Sequence, residues 1–430
     1  MIERLLRRHT WRTTNAHRTR VAFCVALALS AAPSVARAQW AVTPLGFLNN
    51  NPGDFSISGD ARGVNASGQA VGLSLDGRNN PQAFITGANG VGMTGLGFLN
   101  TSTAGNRFSY AMAVNASGQV VGYSFDALNR SQAFITGANG VGMTGLGFLN
   151  TGTTGRFDSE AYGVNASGQT VGYSIDALGR QQAFITGANG VGMTGLGFLS
   201  TDSYYSVAKG VNDGGQVVGI SLDALGREQA FITGANGVGM TGLGFLNAGA
   251  TGVFMSRALG INNYGQVVGW SIDALRRQQA FITGADGIGM TGLGFLNTGT
   301  TGTFISEAIG INASGQVVGT SYDALGRQQV FITGANGTGM SSLTNLLAAN
   351  GLRGWDIRKV GQITDNGYIV AVGGNASQGL TERALLIRVG DVPTNPVSEP
   401  PSTEVPEPNS SALIATGLLA LGVMARRRIA

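Results

Sequence analysis

Six aspartates recur at one equivalent position of a repeated stretch: Asp76, Asp126, Asp176, Asp223, Asp273 and Asp323. A ring of carboxylate oxygens suits a hard cation such as Ca²⁺. An aspartate that opens a turn also accepts hydrogen bonds from its own backbone. In most copies an arginine four residues on (Arg180, Arg227, Arg327) neutralises it. Turn capping is the stronger reading, because successive units lie too far apart to share coordination at about 2.3–2.6 Å. No metal site and no cofactor is expected. The single cysteine, Cys24, and both histidines, His9 and His17, precede residue 39. Residues 39–430 therefore offer neither thiol nor imidazole, which excludes Ser-His-Asp and Cys-His catalysis and zinc sites of the usual His/Cys kind. Two-carboxylate glycoside hydrolysis needs one distinctive pair, and none stands out from the repeats. The string GVGMTG at 90–95 fits a dinucleotide-binding pattern, but Leu-Gly-Phe-Leu follows it instead of a helix. It reads as a hairpin, and the chain as not an enzyme.

The element that positions these residues is an internal repeat. Residues 132–149 read QAFITGANGVGMTGLGFL and recur with little change from Gln82, Gln182, Gln229, Gln279 and Gln329, at spacings of 50, 50, 47, 50 and 50 residues. Each period holds four apolar runs of four to seven residues, rich in Val, Ile, Phe and Tyr and separated by Gly/Asn/Asp/Ser clusters. This is a strand-and-hairpin pattern, and no run is long enough for a periodic helix. Four strands, A to D, in about 50 residues make the blade of a kelch-like propeller, whereas a parallel β-helix needs a shorter coil. Strand A starts near Ala61, Ala111, Ala161, Ala208, Ala258 and Ala308, and its small residues suit the crowded axis. A degenerate seventh unit has strand A at 359–364, B at 367–372 and C at 383–387. It lacks strand D. Residues 42–48 (VTPLGFL) supply the missing strand, and their pairing with 383–387 closes a seven-bladed ring without exposed edges. The fold class is all-β: a seven-bladed β-propeller closed by an N-terminal strand, with a short C-terminal hydrophobic helix.

The ends carry an address. Six arginines before Val21, an apolar run and Ala36-Arg37-Ala38 form a secretory signal over residues 1–38, with cleavage after Ala38. The net charge of +4 belongs to these ends: residues 39–404 hold 17 Lys+Arg against 21 Asp+Glu. Nothing there argues for nucleic acid as a partner. Residues 39–390 are the repeat body and 391–404 a Pro-rich linker. Residues 405–430 hold Pro406, Glu407 and Pro408, an apolar run, and Arg426, Arg427 and Arg428. A short apolar segment stopped by arginines reads as a membrane-retention signal, although it is shorter than the ~20 residues a spanning helix needs.

That C-terminal combination resembles the PEP-CTERM sorting signal. The resemblance implies removal by an exosortase-type peptidase, transient retention at the inner membrane, and export to the surface or polysaccharide matrix of a Gram-negative bacterium. The repeats resemble HAF extracellular repeats: residues 311–319, INASGQVVG, match the first part of that pattern, while Gln132 stands where His is usual and Thr136 where Trp is usual. The HAF resemblance implies no firm activity.

The D–A connections differ between copies, yet each carries an aromatic: Phe55, Phe108, Phe157, Tyr204, Phe254, Phe304 and Trp355. Several add Arg107, Tyr110, Arg156, Tyr205, Arg257 or Arg353. They emerge on the same face as the B–C turns, where repeat proteins bind. Two readings stand. Phe108, Tyr110, Phe157, Tyr204, Tyr205, Phe254 and Trp355 form a sugar-stacking surface, or the aromatics plug the gaps between blades. The Asn-Ala-Ser sequons at Asn65, Asn115, Asn165 and Asn312 read as turn chemistry. The expected function is non-catalytic binding or structural work in an extracellular polysaccharide (biofilm) matrix. A carboxylate-dependent carbohydrate enzyme and a ligand-free display scaffold are the alternatives.

Overall fold

The computed structural model describes residues 39–49, 59–101, 105–247 and 252–390. The signal-cleavage residues Ala36 and Ala38, the C-terminal sorting motif and Phe55 lie outside them. The described residues form seven four-stranded antiparallel sheets, each a blade. Blade two is typical: strand A Ser109–Val114, B Val120–Phe125, C Ser131–Thr136 and D Met143–Gly147. The first strands of blades one and three to six are Asp60–Val64, Ser159–Val164, Ser206–Val211, Ser256–Ile261 and Ser306–Ile311. Each touches the next around the axis, and the first strand of blade seven, Trp355–Ile363, touches that of blade one. The ring is closed.

Closure happens as expected. Blade seven takes its second and third strands from Tyr368–Asn375 and Leu380–Arg388. Its fourth is Ala41–Pro44, paired antiparallel in the register Ala41 to Arg388 and Pro44 to Leu385. Leu45, 2 % exposed, then packs with Phe84 and Leu386 and ties blade seven to blade one. Strand A of blade seven starts four residues earlier than the sequence pattern indicates.

Each sheet buries one row of apolar residues against the next. Between blades two and three, Val121, Ala133 and Ile135 meet Ala161 and Phe184. The phenylalanine at this position is fully buried in six blades, and its side chain alone contributes about 1.5–3 kcal/mol of apolar burial. A polar clamp is added at the same junctions. Ser159 Oγ accepts from the Ala133 N–H at 2.9 Å and donates to the Gly147 carbonyl at 2.8 Å. Those two groups flank a bulge between strands C and D that would otherwise leave them unpaired. Ser109, Ser206, Ser256 and Ser306 repeat the contact.

On the A–B face, asparagine amides run around the ring. Asn65 donates to the Asn115 carbonyl at 3.0 Å, Asn115 to Asn165, and so on to Asn312; Asn366 returns to Ala66 at 2.6 Å. Each of these residues up to Asn312 also accepts from the backbone N–H four positions on. The sequon asparagines are thus buried turn builders.

One α-helix occurs among the described residues, Leu343–Ala349, where no helix is expected from the sequence. In blades two to five strand D continues as far as the Leu-Gly of Leu-Gly-Phe-Leu, as at Leu146 and Gly147. Here those glycines are absent, Ser342 Oγ accepts from the Asn345 N–H, and Leu343 and Leu347 fall one turn apart into the core. No described helix is long and apolar enough to cross a membrane.

Candidate functional site

Within strand A the blades differ most clearly at the two residues that flank its first alanine. In blade order the pairs are Asp60/Arg62, Tyr110/Met112, Glu160/Tyr162, Val207/Lys209, Arg257/Leu259 and Glu307/Ile309. The intervening alanine is buried in all six. Strand A carries a bulge after that alanine, because strand B places a glycine opposite: a Cβ on Gly172 would overlap the Glu160 carbonyl. The varying side chains gather beside the axis, toward the D–A end. The axial cavity itself is small, about 170 Å³, and Lys209, Leu259 and Ile309 share its lining with the glycines Gly163, Gly210, Gly260 and Gly310.

Three groups of contacts make up the cluster. Arg62 donates to the Tyr110 hydroxyl at 2.6 Å and pairs with Asp60 at 2.9 Å, while the Tyr110 hydroxyl donates to Asp60. Tyr162 donates to Glu160 at 2.6 Å, and the Lys209 ammonium lies 3.7 Å from the centroid of the Tyr162 ring. Tyr110 packs against its cross-strand partner Tyr123, and Tyr162 against Tyr173, which lies opposite Glu160. Arg257 stacks on Trp270 and pairs with Glu228 of the preceding blade at 2.7 Å.

Burial governs the protonation of this cluster. It lowers the Lys209 pKa to about 8, partly offset by Glu160. It raises the phenols of Tyr110 and Tyr162 well above their ordinary range, helped by Asp60 and Glu160, and that of Tyr123 to about 12. The Glu307 carboxyl is also pushed up by burial, with Arg257 opposing. The mouth thus presents neutral phenol hydroxyls beside paired charges, a set of donors and acceptors suited to hydroxyl-rich ligands.

The residues singled out from sequence divide into groups. Tyr110 is part of the mouth cluster. Tyr205 is half-buried, with its phenol shifted upward by burial and Glu228. Phe157 and Phe254 lie over Arg130 and Arg227, beside Phe148 and Phe245. Phe108 packs on Tyr123 and Phe125. Trp355, 7 % exposed, is the first residue of strand A in blade seven and belongs to the core. Tyr204 stands open at 66 %. Asp60, Arg62, Glu160, Tyr162, Lys209, Arg257 and Glu307 were not expected as site residues, except that Arg257 was noted among the connections. Their signal was present: two positions of strand A that vary from copy to copy around an alanine that does not.

The six aspartates cap their turns. Asp126 accepts from the N–H groups of Leu128 and Arg130 and pairs with the Arg130 guanidinium at 2.7 Å. No group of three or more potential metal ligands occurs among the described residues. The 90–95 string runs from the C–D connection, where Gly90 and Gly92 have positive φ, into strand D of blade one, Met93–Gly95.

No family model and no curated protein matches the chain. Solved structures of similar fold include a puromycin-hydrolyzing peptidase of Mycobacterium tuberculosis, 10% identical, TM-score 0.50, covering 84% of this chain and 55% of that one. An oligogalacturonate lyase from Vibrio parahaemolyticus is 9% identical, TM-score 0.49, covering 82% and 99%. A puromycin hydrolase complexed with PGG is 14% identical, TM-score 0.49, covering 80% and 55%. The chain spans about half the length of the two hydrolases. At these identities the likeness is one of fold alone.

Proposed function

We propose that this protein is a non-catalytic polysaccharide-binding propeller of the bacterial cell surface or extracellular matrix. In this reading residues 1–38 direct export, and an exosortase-type peptidase processes residues 405–430 after transient retention at the inner membrane. The observation that carries the binding role is the concentration of chemical variety at the D–A mouth of a ring whose walls are near copies. A passive scaffold made by duplication has no use for a mouth of Asp, Arg, Tyr, Glu and Lys in half-buried positions, where each charge needs its own partner. Fold similarity to hydrolases and lyases does not carry function.

The test is titration of the purified protein with exopolysaccharide and with a glycan array, in the presence and absence of Ca²⁺. Saturable, Ca²⁺-independent binding is expected. Turnover of any glycan, seen as new reducing ends or unsaturated products, would replace the binding role with the enzymatic alternative.

A further inference from the structure

Five B–C turns carry the same ion pair: Asp126–Arg130, Asp176–Arg180, Asp223–Arg227, Asp273–Arg277 and Asp323–Arg327. In three of them two phenylalanines cover the guanidinium, one from the end of strand D and one from the D–A linker. Arg130 lies 4.8 and 5.1 Å from the ring centroids of Phe148 and Phe157. Arg227 and Arg277 are covered in the same way by Phe245 with Phe254 and by Phe295 with Phe304. Arg180 keeps one cover, Phe198. In blade six Asn345 occupies the position of the strand-D phenylalanine, and Trp355 has moved into the core. The Arg327 side chain is therefore 64 % exposed, against 31, 32, 33 and 31 % for the other four. Where its neighbours hold their own rings, blade six holds a cleft of about 650 Å³, a size typical of small-molecule sites.

We infer that this cleft is a saccharide subsite that takes a neutral hexose or a short run of hexoses. The inference rests on the polysaccharide-binding reading and locates one contact of the chain with its ligand. Arg327, Gln329, Asn345 and Asp356 supply planar guanidinium, amide and carboxylate groups, and Leu346 and Trp355 add apolar lining. Both charges are already balanced, Arg327 by Asp323 at 2.8 Å and Asp356 by Arg358 at 2.9 Å. No unpaired charge selects an ion. Adjacent donors and acceptors instead match adjacent sugar hydroxyls, each of which donates one hydrogen bond and accepts others. The apolar lining matches the C–H face of a pyranose.

The test is calorimetric titration of the purified protein with mono- and disaccharides of glucose, mannose and galactose, with galacturonic acid as the anionic comparator. Asn345→Phe, which restores the missing ring, and Arg327→Met should each weaken neutral-sugar binding by at least about tenfold, the equivalent of 1.4 kcal/mol. Arg227→Met, on a covered arginine, should leave it unchanged. Melting curves establish that each variant folds, and Arg327→Met serves if Asn345→Phe does not. Preference for galacturonic acid would overturn the neutral ligand class. Small-sugar binding that survives both cleft variants would overturn the site while leaving the polysaccharide reading intact. Failure of the unaltered protein to bind polymer or small sugar would bring down the reading itself.

Discussion

Five of the seven blade junctions are alike and two are not. At the five, a serine hydroxyl bridges strands C and D of the preceding blade. At the two flanking blade seven, Trp355 and Gly59 occupy the serine position. Blade seven is also the composite one, with longer strands and one strand from the other end of the chain. It is joined to its neighbours by apolar bulk. Trp355, Leu343 and Leu347 fill the junction with blade six, and Leu45 with Leu386 fills that with blade one. Duplication can copy a hydrogen-bonded clamp, but a ring must end somewhere, and its two ends cannot both be copies. The irregular junction is where a helix replaces a strand end and the cleft opens.

Breaking the irregular side should have the largest effect. Deleting residues 41–45 removes strand D of blade seven, leaves an open edge and uncovers Leu386. The thermal transition should fall further than for Leu45→Ala alone, which is expected to cost about 2–5 kcal/mol. An unchanged melting temperature would mean that the ring does not depend on its N-terminal strand. Next come the copied walls. Phe184→Ala should cost about 3–5 kcal/mol in denaturant titration. The clamp ranks below it: Ser159→Ala leaves the buried Ala133 N–H without its acceptor, for about 1–3 kcal/mol. A value near zero would reduce the comparison of junctions to one of apolar packing.

The mouth adds a pH signature that the walls lack. The folded pKa of Lys209 is about 8, against 10.5 for the free side chain. Between these values the unfolded chain binds a proton that the folded chain has released, so stability rises with pH over that window and this group adds no slope below it. Lys209→Met should therefore melt higher than the parent at pH 7, with the difference shrinking toward pH 10. An equal difference at both pH values would contradict the burial of the ammonium. The smallest effect belongs to the open loop: Tyr204→Ala should change stability by less than about 0.5 kcal/mol.

Much of the ring was legible because its signals are periodic. Apolar runs at a fixed spacing specify strands, and the unit lacking strand D points to the spare strand at residues 42–48. The helix at Leu343–Ala349 was hidden by its place in the repeat, where the other copies carry Leu-Gly-Phe-Leu and form no helix. At the site, Tyr110 was read for its aromatic ring. Asp60, Glu160, Lys209 and Glu307 were passed over because strand A was read for its small residues, which are the buried half of its alternation. The Asp–Arg turns were read as local chemistry, and they are. What sequence spacing did not reveal is that Phe148 and Phe157 cover one such arginine while Arg327 has no cover, since covering depends on where separate segments meet in space.

The most direct test of the account is polysaccharide titration of the purified protein beside two variants. One combines Tyr162→Phe with Lys209→Met at the mouth, and the other carries Val191→Ser on the exposed C–D turn of the opposite face. The mouth variant should weaken binding by about tenfold or more while its fold is retained, and Val191→Ser should bind as the parent does. Equal affinities in all three proteins, or a loss confined to Val191→Ser, would contradict the assignment of function to the D–A mouth.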